Sequence, residues 1–392
     1  MFKKLLPLAV ATFAVSTDSL VIAGLLPEIA KSLEVSLSAA GQLVTAFALT
    51  YAIAAPVLGA ATSALDRRTV LLIAMGVFVV GNVLAAVGET YAVVLTARII
   101  CALAAALVSS IAMATASALA PPEKRGRALA LVTAGMTLAT TAGVPLGTLI
   151  GGTDWRITMW SVAALAVVAG VGILVGLPRV TLPSAVLADR LRPLRDPGVL
   201  AILAVTLVIL TSGYVLYTYI GAAVRPVTGG ETVGLTVVLV AYGLGSIVGN
   251  VVSGFLTDRF APVRVLLAGL VVLVTTLALT PLVTMSMAST LVWAVVWGAS
   301  GWLTGLPQQH RLVTRAPEAS AVLLGLNVSV LQLGIAVGGG IGGLILQWGS
   351  VVWLGIVSAA IAAVALLVTI ATTRTRTPST SEAVVAAPAP AP

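Results

Sequence analysis

Two charged side chains lie well inside long apolar runs of this 392-residue chain. Asp18 sits in the stretch AVSTDSLVIAGLLP (residues 14–27), and Arg98 in LTARIICALAAAL (95–107). A charge at bilayer depth costs at least about 2.5 kcal/mol, so each needs a partner, a water-filled cavity or a function. The chemistry open to such a pair is proton exchange. A buried carboxyl gains and loses its proton according to its desolvation and to the positive charge beside it. The other use of the pair is structural, as an ion bridge between two helices, although apolar packing stabilises better than a buried pair. Other chemistries fail on residue type. There is no Gly-rich phosphate loop ending in Lys-Ser or Lys-Thr, no paired set of metal ligands and no nucleophile with a partner histidine. No enzyme, no metal site, no cofactor and no ATP-driven pump is therefore expected. The single cysteine, Cys101, can form no intrachain disulfide and reads as a small packing residue.

The elements that must hold this pair are membrane helices. Hydrophobic residues make up 59% of the chain and charged residues only 9%, against roughly 25% charged in a soluble domain. At about 20 apolar residues per crossing, twelve spans emerge. The first six are roughly 5–26, 39–62, 70–88, 91–119, 128–150 and 157–177, and the last six roughly 199–223, 233–256, 263–284, 288–306, 319–346 and 351–371. The start, MFKK followed by LLPLAVATFAV, mimics a signal peptide, but its apolar run continues to Leu26 and reads as an uncleaved first helix. The expected organisation is an N-terminal six-helix bundle (1–178), a cytoplasmic linker (179–197), a C-terminal six-helix bundle (198–371) and a disordered tail (372–392) ending APAPAP. Asp18 lies ten residues before Glu28, roughly 15 Å below that membrane boundary at 1.5 Å per residue. Arg98, seven residues after Tyr91 on a helix running the other way, lies roughly 10 Å below the same boundary. The two charges thus come to similar depths.

The net charge of +8 would suit a nucleic-acid binder, but most basic residues fall in short loops between spans. Seventeen, among them Lys3, Lys4, Arg67, Arg68, Lys124, Arg125 and Arg127, lie on the side of the two termini. Only Lys31, Arg156 and Arg225 lie on the other. This bias predicts cytoplasmic termini in the cell inner membrane and no nucleic-acid partner. The chain also repeats itself. Gly59, Val70-Leu71-Leu72, Pro122-Glu123, Gly143 and Gly147 recur as Gly254, Val265-Leu266-Leu267, Pro317-Glu318, Gly338 and Gly342, each 195 residues later. Two parallel repeats with a site between them at mid-depth are a transporter architecture. The same offset carries Asp18 and Arg98 to Gly213 and Trp293, so the second copy keeps the scaffold without the charges.

With Gly59, Arg67 and Arg68 after the second span, Gly254, Asp258 and Arg259 in their repeat copy, Arg98 in the fourth span, Gly143, Pro145 and Gly147 in the fifth and the acid before Gly-Leu-Leu-Pro in the first, the chain resembles the major facilitator superfamily, and within it the twelve-helix drug:proton antiporter branch. The loop after the second span, GAATSALDRR, keeps Gly59, Arg67 and Arg68 of the superfamily pattern, with Ser63 in place of its Asp and Asp66 in place of its Gly. The repeat copy, GFLTDRFAPVR, matches better, with Gly254, Leu256, Asp258 and Arg259 in register. The fourth span matches the arginine-centred motif at Arg98, with Cys101 and Ala102 replacing the usual Gln and Gly. The fifth, GMTLATTAGVPLGTLIGG, is similar to the antiporter signature at Gly143, Pro145 and Gly147. Gly151 extends that four-residue spacing into a smooth face for close backbone approach, and Pro145 should bend the helix. The opening stretch is similar to the first helix of bacterial exporters, which carry an acid just before Gly-Leu-Leu-Pro.

The resemblance implies an all-α membrane fold of two pseudo-symmetric six-helix halves, working by alternating access. It implies efflux of small organic compounds in exchange for protons, possible substrates including chloramphenicol, with Asp18 and Arg98 as the proton-coupling pair. It also implies loops that clasp neighbouring helix ends on the cytoplasmic side, here through Gly59, Arg67, Arg68, Gly254, Asp258 and Arg259. The rival reading is an importer or facilitator of a sugar or another nutrient on the same fold. Polar and aromatic residues within the spans offer a substrate cavity: Tyr214, Tyr217, Asn327, Gln332, Gln42 and Tyr51. Tyr219, nearer a helix end, reads as an interfacial belt residue. His310, in GLPQQHRLVTRAPE (305–318), reads as an exposed loop residue at the end of the tenth span. The expected partners are a small-molecule substrate, protons and the lipid bilayer, for a protein acting as a monomer.

Overall fold

In the computed structural model, residues 2–181 and 191–374 are described, and they fold almost entirely into helices. The first six spans are α1 (Phe2–Ser32), α2 (Leu37–Ala61), α3 (Arg67–Val87), α4 (Tyr91–Leu119), α5 and α6 (Arg125–Leu138 and Val144–Ile150) and α7 (Trp155–Gly176). After the interhelical segment come α8 (Pro197–Tyr217), two single turns α9 (Ile220–Ala223) and α10 (Arg225–Thr228), and α11 (Thr232–Arg259). The chain then forms α12 (Pro262–Ala278), α13 (Thr280–Val283), α14 (Met287–Leu303), α15 (Gly305–Arg315), α16 (Ser320–Trp348) and α17 (Val352–Arg374). Short polar residues start them: Ser36, Asp66, Asp154, Asp196 and Ser286 each accept a backbone N–H of the first turn. Ten helical stretches among the described residues are long and apolar enough to cross a membrane, and with the shorter apolar α12 and the seventeen-residue α14 they are consistent with the expected twelve. The protein is a multi-pass membrane protein.

Three local features depart from the regular spans expected. The fifth span is interrupted by a wide π turn, Ala139–Gly143, immediately before Pro145. Proline has no N–H to close the next α turn, and the Val144 N–H instead reaches back to the Ala139 carbonyl. The ninth span breaks at Leu279, next to Pro281, and ends in the separate turn α13. The tenth span is expected to end near residue 306, yet α15 carries it to Arg315 with Pro307 in its first turn, where proline is tolerated. His310 is therefore a helical residue rather than a loop residue. It is exposed as expected, with Nδ1 3.3 Å from the Thr314 hydroxyl.

Apolar packing is shared at one end of the bundle and divided at the other. At the end opposite the chain termini, a single core joins Val21, Leu25 and Leu43 to Val215, Leu239 and Trp297. Toward the terminal end it separates into a core around Leu5, Phe78 and Ile111 and another around Val199, Leu312 and Leu323. Val328 of α16 leans on the former. The two sets of six spans are thus pressed together at one face of the membrane. Of the expected linker, residues 182–190 lie outside the described residues, as does the tail from 375.

Candidate functional site

The Arg98 guanidinium donates from Nη1 to Asp18 Oδ2 at 2.8 Å and from Nη2 to the Asp18 backbone carbonyl at 3.2 Å. Both residues are fully buried. The guanidinium carbon also lies 4.3 Å from the centre of the Phe47 ring, a cation–π contact from α2. One carboxylate oxygen, Oδ1, and the Arg98 Nε are buried without a hydrogen-bond partner among the described residues. A buried polar atom left unpaired costs about 1–3 kcal/mol, more when charged, so the pair is under-satisfied. The comparable depths read from the sequence have become direct contact between α1 and α4.

The glycines of the fifth span position α1. A side-chain carbon on Gly143, Gly147 or Gly151 would come within 2.2 Å of Thr17 Oγ1, 2.6 Å of Val21 Cγ2 and 2.6 Å of Leu25 Cδ2, respectively. Thr17, Val21 and Leu25 are themselves four apart, so two matched faces interlock. That leaves Asp18, next to Thr17, turned toward α4. The π turn at Ala139–Gly143 faces the last six spans, where the Thr141 hydroxyl donates to the Gly243 carbonyl of α11 at 3.4 Å.

The residues expected in a substrate cavity do not converge. Tyr214 and Tyr217 pack together with ring centres 5.3 Å apart. Gln332 lies seven residues before Gly339 and so shares the face of α16 that meets α2. Asn327 lies seven before Gly334, on the face that packs against Leu207 and Leu210 of α8. Gln42 lies at the α2–α16 contact, where a side chain on Gly343 would reach 3.1 Å from its Nε2. Tyr51 is buried in the core of the first six spans beside Phe47.

Sequence reasoning misses Tyr242, Trp297 and Trp293, which continue the Tyr214–Tyr217 chain. Tyr242 lies 5.1 Å from Tyr217 and 4.8 Å from Trp297, and Trp297 lies 5.0 Å from Trp293. The repeat offset could have found Tyr242 and Trp293, because it carries Asp18, Phe47 and Arg98 to Gly213, Tyr242 and Trp293. An aromatic group thus occupies the place in the second copy that the ion pair occupies in the first.

Tyr219 overturns its expected place in an interfacial belt: it is 1% exposed. Its hydroxyl donates to the Gly339 carbonyl of α16 at 3.0 Å, and its ring fits where α2 and α16 have only glycine. A side-chain carbon on Gly41, Gly342 or Gly343 would stand 2.0, 2.6 or 2.7 Å from a Tyr219 atom. Nearby, the Ser38 hydroxyl donates to the Gly343 carbonyl at 2.9 Å. A tyrosine one turn from a span end can face lipid headgroups or a neighbouring helix, and the cleft made by these glycines decides for the helix.

On the terminal face the loop after α2 is ordered by its charges. The Arg67 guanidinium donates to the Thr62 and Ser63 carbonyls at 3.2 and 2.5 Å, and Arg68 donates to the Leu174 carbonyl of α7. Asp66, the departure from the superfamily pattern, caps α3 through Thr69 and accepts the Val180 N–H at 2.8 Å. Desolvation would raise its pKa, but these hydrogen bonds outweigh it and hold the carboxyl below the usual range. Gly59 is buried at the end of α2. In the copy after α11, Asp258 and Arg259 are exposed, with Arg259 stacked on Phe255 of its own helix and Gly254 in loose contact with Leu306. The poorer match to the pattern therefore makes the closer clasp. A second tie joins Arg315 of α15 to Asp196 by two hydrogen bonds of 2.8 and 3.0 Å, which hold the Asp196 carboxyl down at about 2.

Long apolar helices in two related sets, closed on each other at one face, with a buried charge pair inside the first set, define a multi-pass membrane transporter. The chain belongs to the Major Facilitator Superfamily, whose family model matches residues 8–321 and 228–391. It is 37% identical over 369 residues to an uncharacterised MFS-type transporter, YbcL, of Bacillus subtilis (strain 168), covering 93% of this chain and 95% of that one. It is 33% identical over 338 residues to a chloramphenicol resistance protein of Streptomyces lividans, covering 84% and 86%. Among solved structures, the nucleoside transporter NupG has the same fold, with a TM-score of 0.73 at 14% identity, covering 94% of this chain and 98% of that one.

Proposed function

We propose that this transporter exports small organic compounds across the inner membrane in exchange for protons, with Asp18 as the residue that takes up and releases the proton. The observation that carries this is the Asp18–Arg98 pair, buried at 2.8 Å with one carboxylate oxygen unpaired. A purely structural bridge would be better satisfied, or replaced by apolar residues. A carboxyl that must accept a proton needs a free oxygen, and Arg98 keeps it acidic enough to let the proton go. The relative that confers chloramphenicol resistance supports export of a drug-like compound.

With both termini in the cytoplasm, as the excess of basic residues on that side suggests, the closed face is the outer one. The contacts of Tyr219 and Ser38 across the halves then form the outer gate. Two bundles, residues 1–178 and 198–371, rock about these contacts. The matched faces of α1 and the fifth span carry the movement to Asp18, and the Arg67–Arg68 loop steadies the cytoplasmic end. In the inward-facing state Asp18 releases its proton and substrate binds. In the outward-facing state Asp18 is protonated and substrate leaves. The protein does this as a monomer.

Vesicles carrying the protein, given an imposed pH gradient and a panel of antibiotics including chloramphenicol, provide the test. Asp18→Asn should abolish gradient-driven transport while inserting into the membrane normally. Full gradient-driven transport by that variant would end the proposal, and uptake of sugars in place of antibiotic export would favour an importer.

A further inference from the structure

We infer that the aromatic group of the last six spans, Tyr214, Tyr217 and Tyr242 over Trp297, binds the ring of an uncharged aromatic solute that offers a hydrogen-bonding group to the Tyr217 hydroxyl. The inference rests on the proposed export function and names the class of compound exported.

Depth is the first support. Tyr242 lies ten residues into α11 from Thr232, roughly 15 Å at 1.5 Å per residue, close to the depth of Asp18. It is also next to Gly243, which touches Thr141 of the other half. A site at mid-depth between two repeats is where transporters of this architecture hold substrate. The group further has a floor and a rim. Tyr217 and Trp297 are buried at 3% and 2% exposure, whereas Tyr214 and Tyr242 are only partly covered. Tyr217 and Tyr242 both meet Trp297 edge-on, at 60° and 64°, and a further ring can join such a cluster in the same way.

Two observations say what the ring must carry. The Tyr217 hydroxyl is buried with no partner among the described residues, although a buried hydroxyl normally has one. Something absent from the chain is a natural partner, and because a phenol both donates and accepts, a hydroxyl, amide or carbonyl group on the solute supplies it. Charge, by contrast, has no counterpart here. α8 and α14 contain no charged residue, and α11 has only Asp258 and Arg259 at its far end. The Asp18–Arg98 pair neutralises itself. An ionised solute would lose its hydration without gaining a partner, so the uncharged aromatic is favoured.

The test uses purified full-length protein in lipid nanodiscs without a pH gradient, and two neutral aromatic probes. Chloramphenicol carries hydroxyl, amide and nitro groups that form hydrogen bonds, and bromobenzene carries none. Equilibrium dialysis gives affinity, and quenching of tryptophan fluorescence reports approach to Trp297. Tyr217→Phe should weaken chloramphenicol about three- to tenfold and leave bromobenzene unchanged. Tyr242→Ala, at the partly covered rim, should weaken both about tenfold. Trp297→Phe, at the floor of the group, should weaken both probes and, at saturating probe, reduce the quenching.

Absence of saturable binding by either probe, or affinities unchanged in both tyrosine variants, would overturn the inference and leave the group a packing cluster. That failure is separable from failure of proton coupling. Binding is read without a gradient, whereas proton coupling stands or falls on gradient-driven transport by Asp18→Asn.

Discussion

Replacing Gly41 by alanine should open the face of the bundle that Tyr219 closes. The added carbon would lie 2.0 Å from the Tyr219 hydroxyl oxygen, 2.5 Å from Cζ and 2.6 Å from Cε1. The ring has no room to retreat, because Gly342 and Gly343 crowd its other side and the hydroxyl is held by the Gly339 carbonyl. Overpacking of this kind costs about 1–3 kcal/mol, and loss of the hydrogen bond adds about 1 kcal/mol. The closed arrangement is thus disfavoured by about 2–4 kcal/mol, a shift of roughly thirty- to several-hundred-fold in the equilibrium between states. Separation of α2 from α16 relieves the clash, so the cost falls on one state and not on folding.

Spin labels at Glu34→Cys and Trp348→Cys, both exposed near that face, in a Cys101→Ser background, report the opening as a longer interlabel distance. Tyr219→Phe, which loses only the hydroxyl, should shift the populations about fivefold. Combining Gly41→Ala with Tyr219→Ala should restore space and prove strongly non-additive. An unchanged distance distribution in Gly41→Ala, with the protein folded, would refute the idea that Tyr219 wedges the halves together.

The charge pair predicts an opposition between stability and transport. Arg98→Met alone should cost about 3–5 kcal/mol by leaving a buried acid, whereas Asp18→Leu with Arg98→Met should be neutral or up to about 4 kcal/mol more stable. Thermal unfolding in detergent checks the order, and the double variant should show no pH-driven transport. The Asp196–Arg315 tie predicts a pH effect at the other face. Its carboxyl is depressed from 3.8 to about 2, so the stabilisation is present above about pH 4 and is lost as pH falls toward 2. Hydrogen exchange in the first turn of α8 should quicken over that interval, and Arg315→Ala should weaken the dependence, leaving the part due to the Gly198 and Val199 N–H groups.

The sequence is most informative where one residue type has few uses. Asp18 and Arg98 stand out because a charge in an apolar run is rare, and the rise of a helix alone brings them to similar depth. The glycine spacing of the fifth span announces a close contact, though its partner, the Thr17–Val21–Leu25 face, emerges only from the packing. Tyr219 misleads because its chain position suits both an interface and a buried wedge. The deciding glycines, Gly41, Gly339, Gly342 and Gly343, are remote in sequence and anonymous in so glycine-rich a chain. α15 reads as a loop because its polar residues sit past the apolar run, where helix and loop have the same composition. Tyr242 and Trp293 escape for a different reason: aromatic residues in membrane spans are common, and only the repeat gives these two a special place.

That repeat explains why one half can carry so costly a feature. At the position of Asp18, Phe47 and Arg98, the second copy places Gly213, Tyr242 and Trp293, with Trp297 and Tyr217 filling the space. Each aromatic side chain there buries a large apolar surface, about 150–250 Å². Trp293 also satisfies its one polar atom by donating to the Thr276 carbonyl at 3.0 Å. The first copy gives up that packing for a desolvated ion pair with an unpaired oxygen. Both copies solve the same backbone problem, so the scaffold does not demand the charges. Their presence in only one half instead follows if the halves divide the work, with the acid in the first half for the proton and the aromatic rings in the second for the solute. Both would then sit at the same depth of a single pseudo-symmetric frame, so that one rocking movement exposes both to the same side of the membrane.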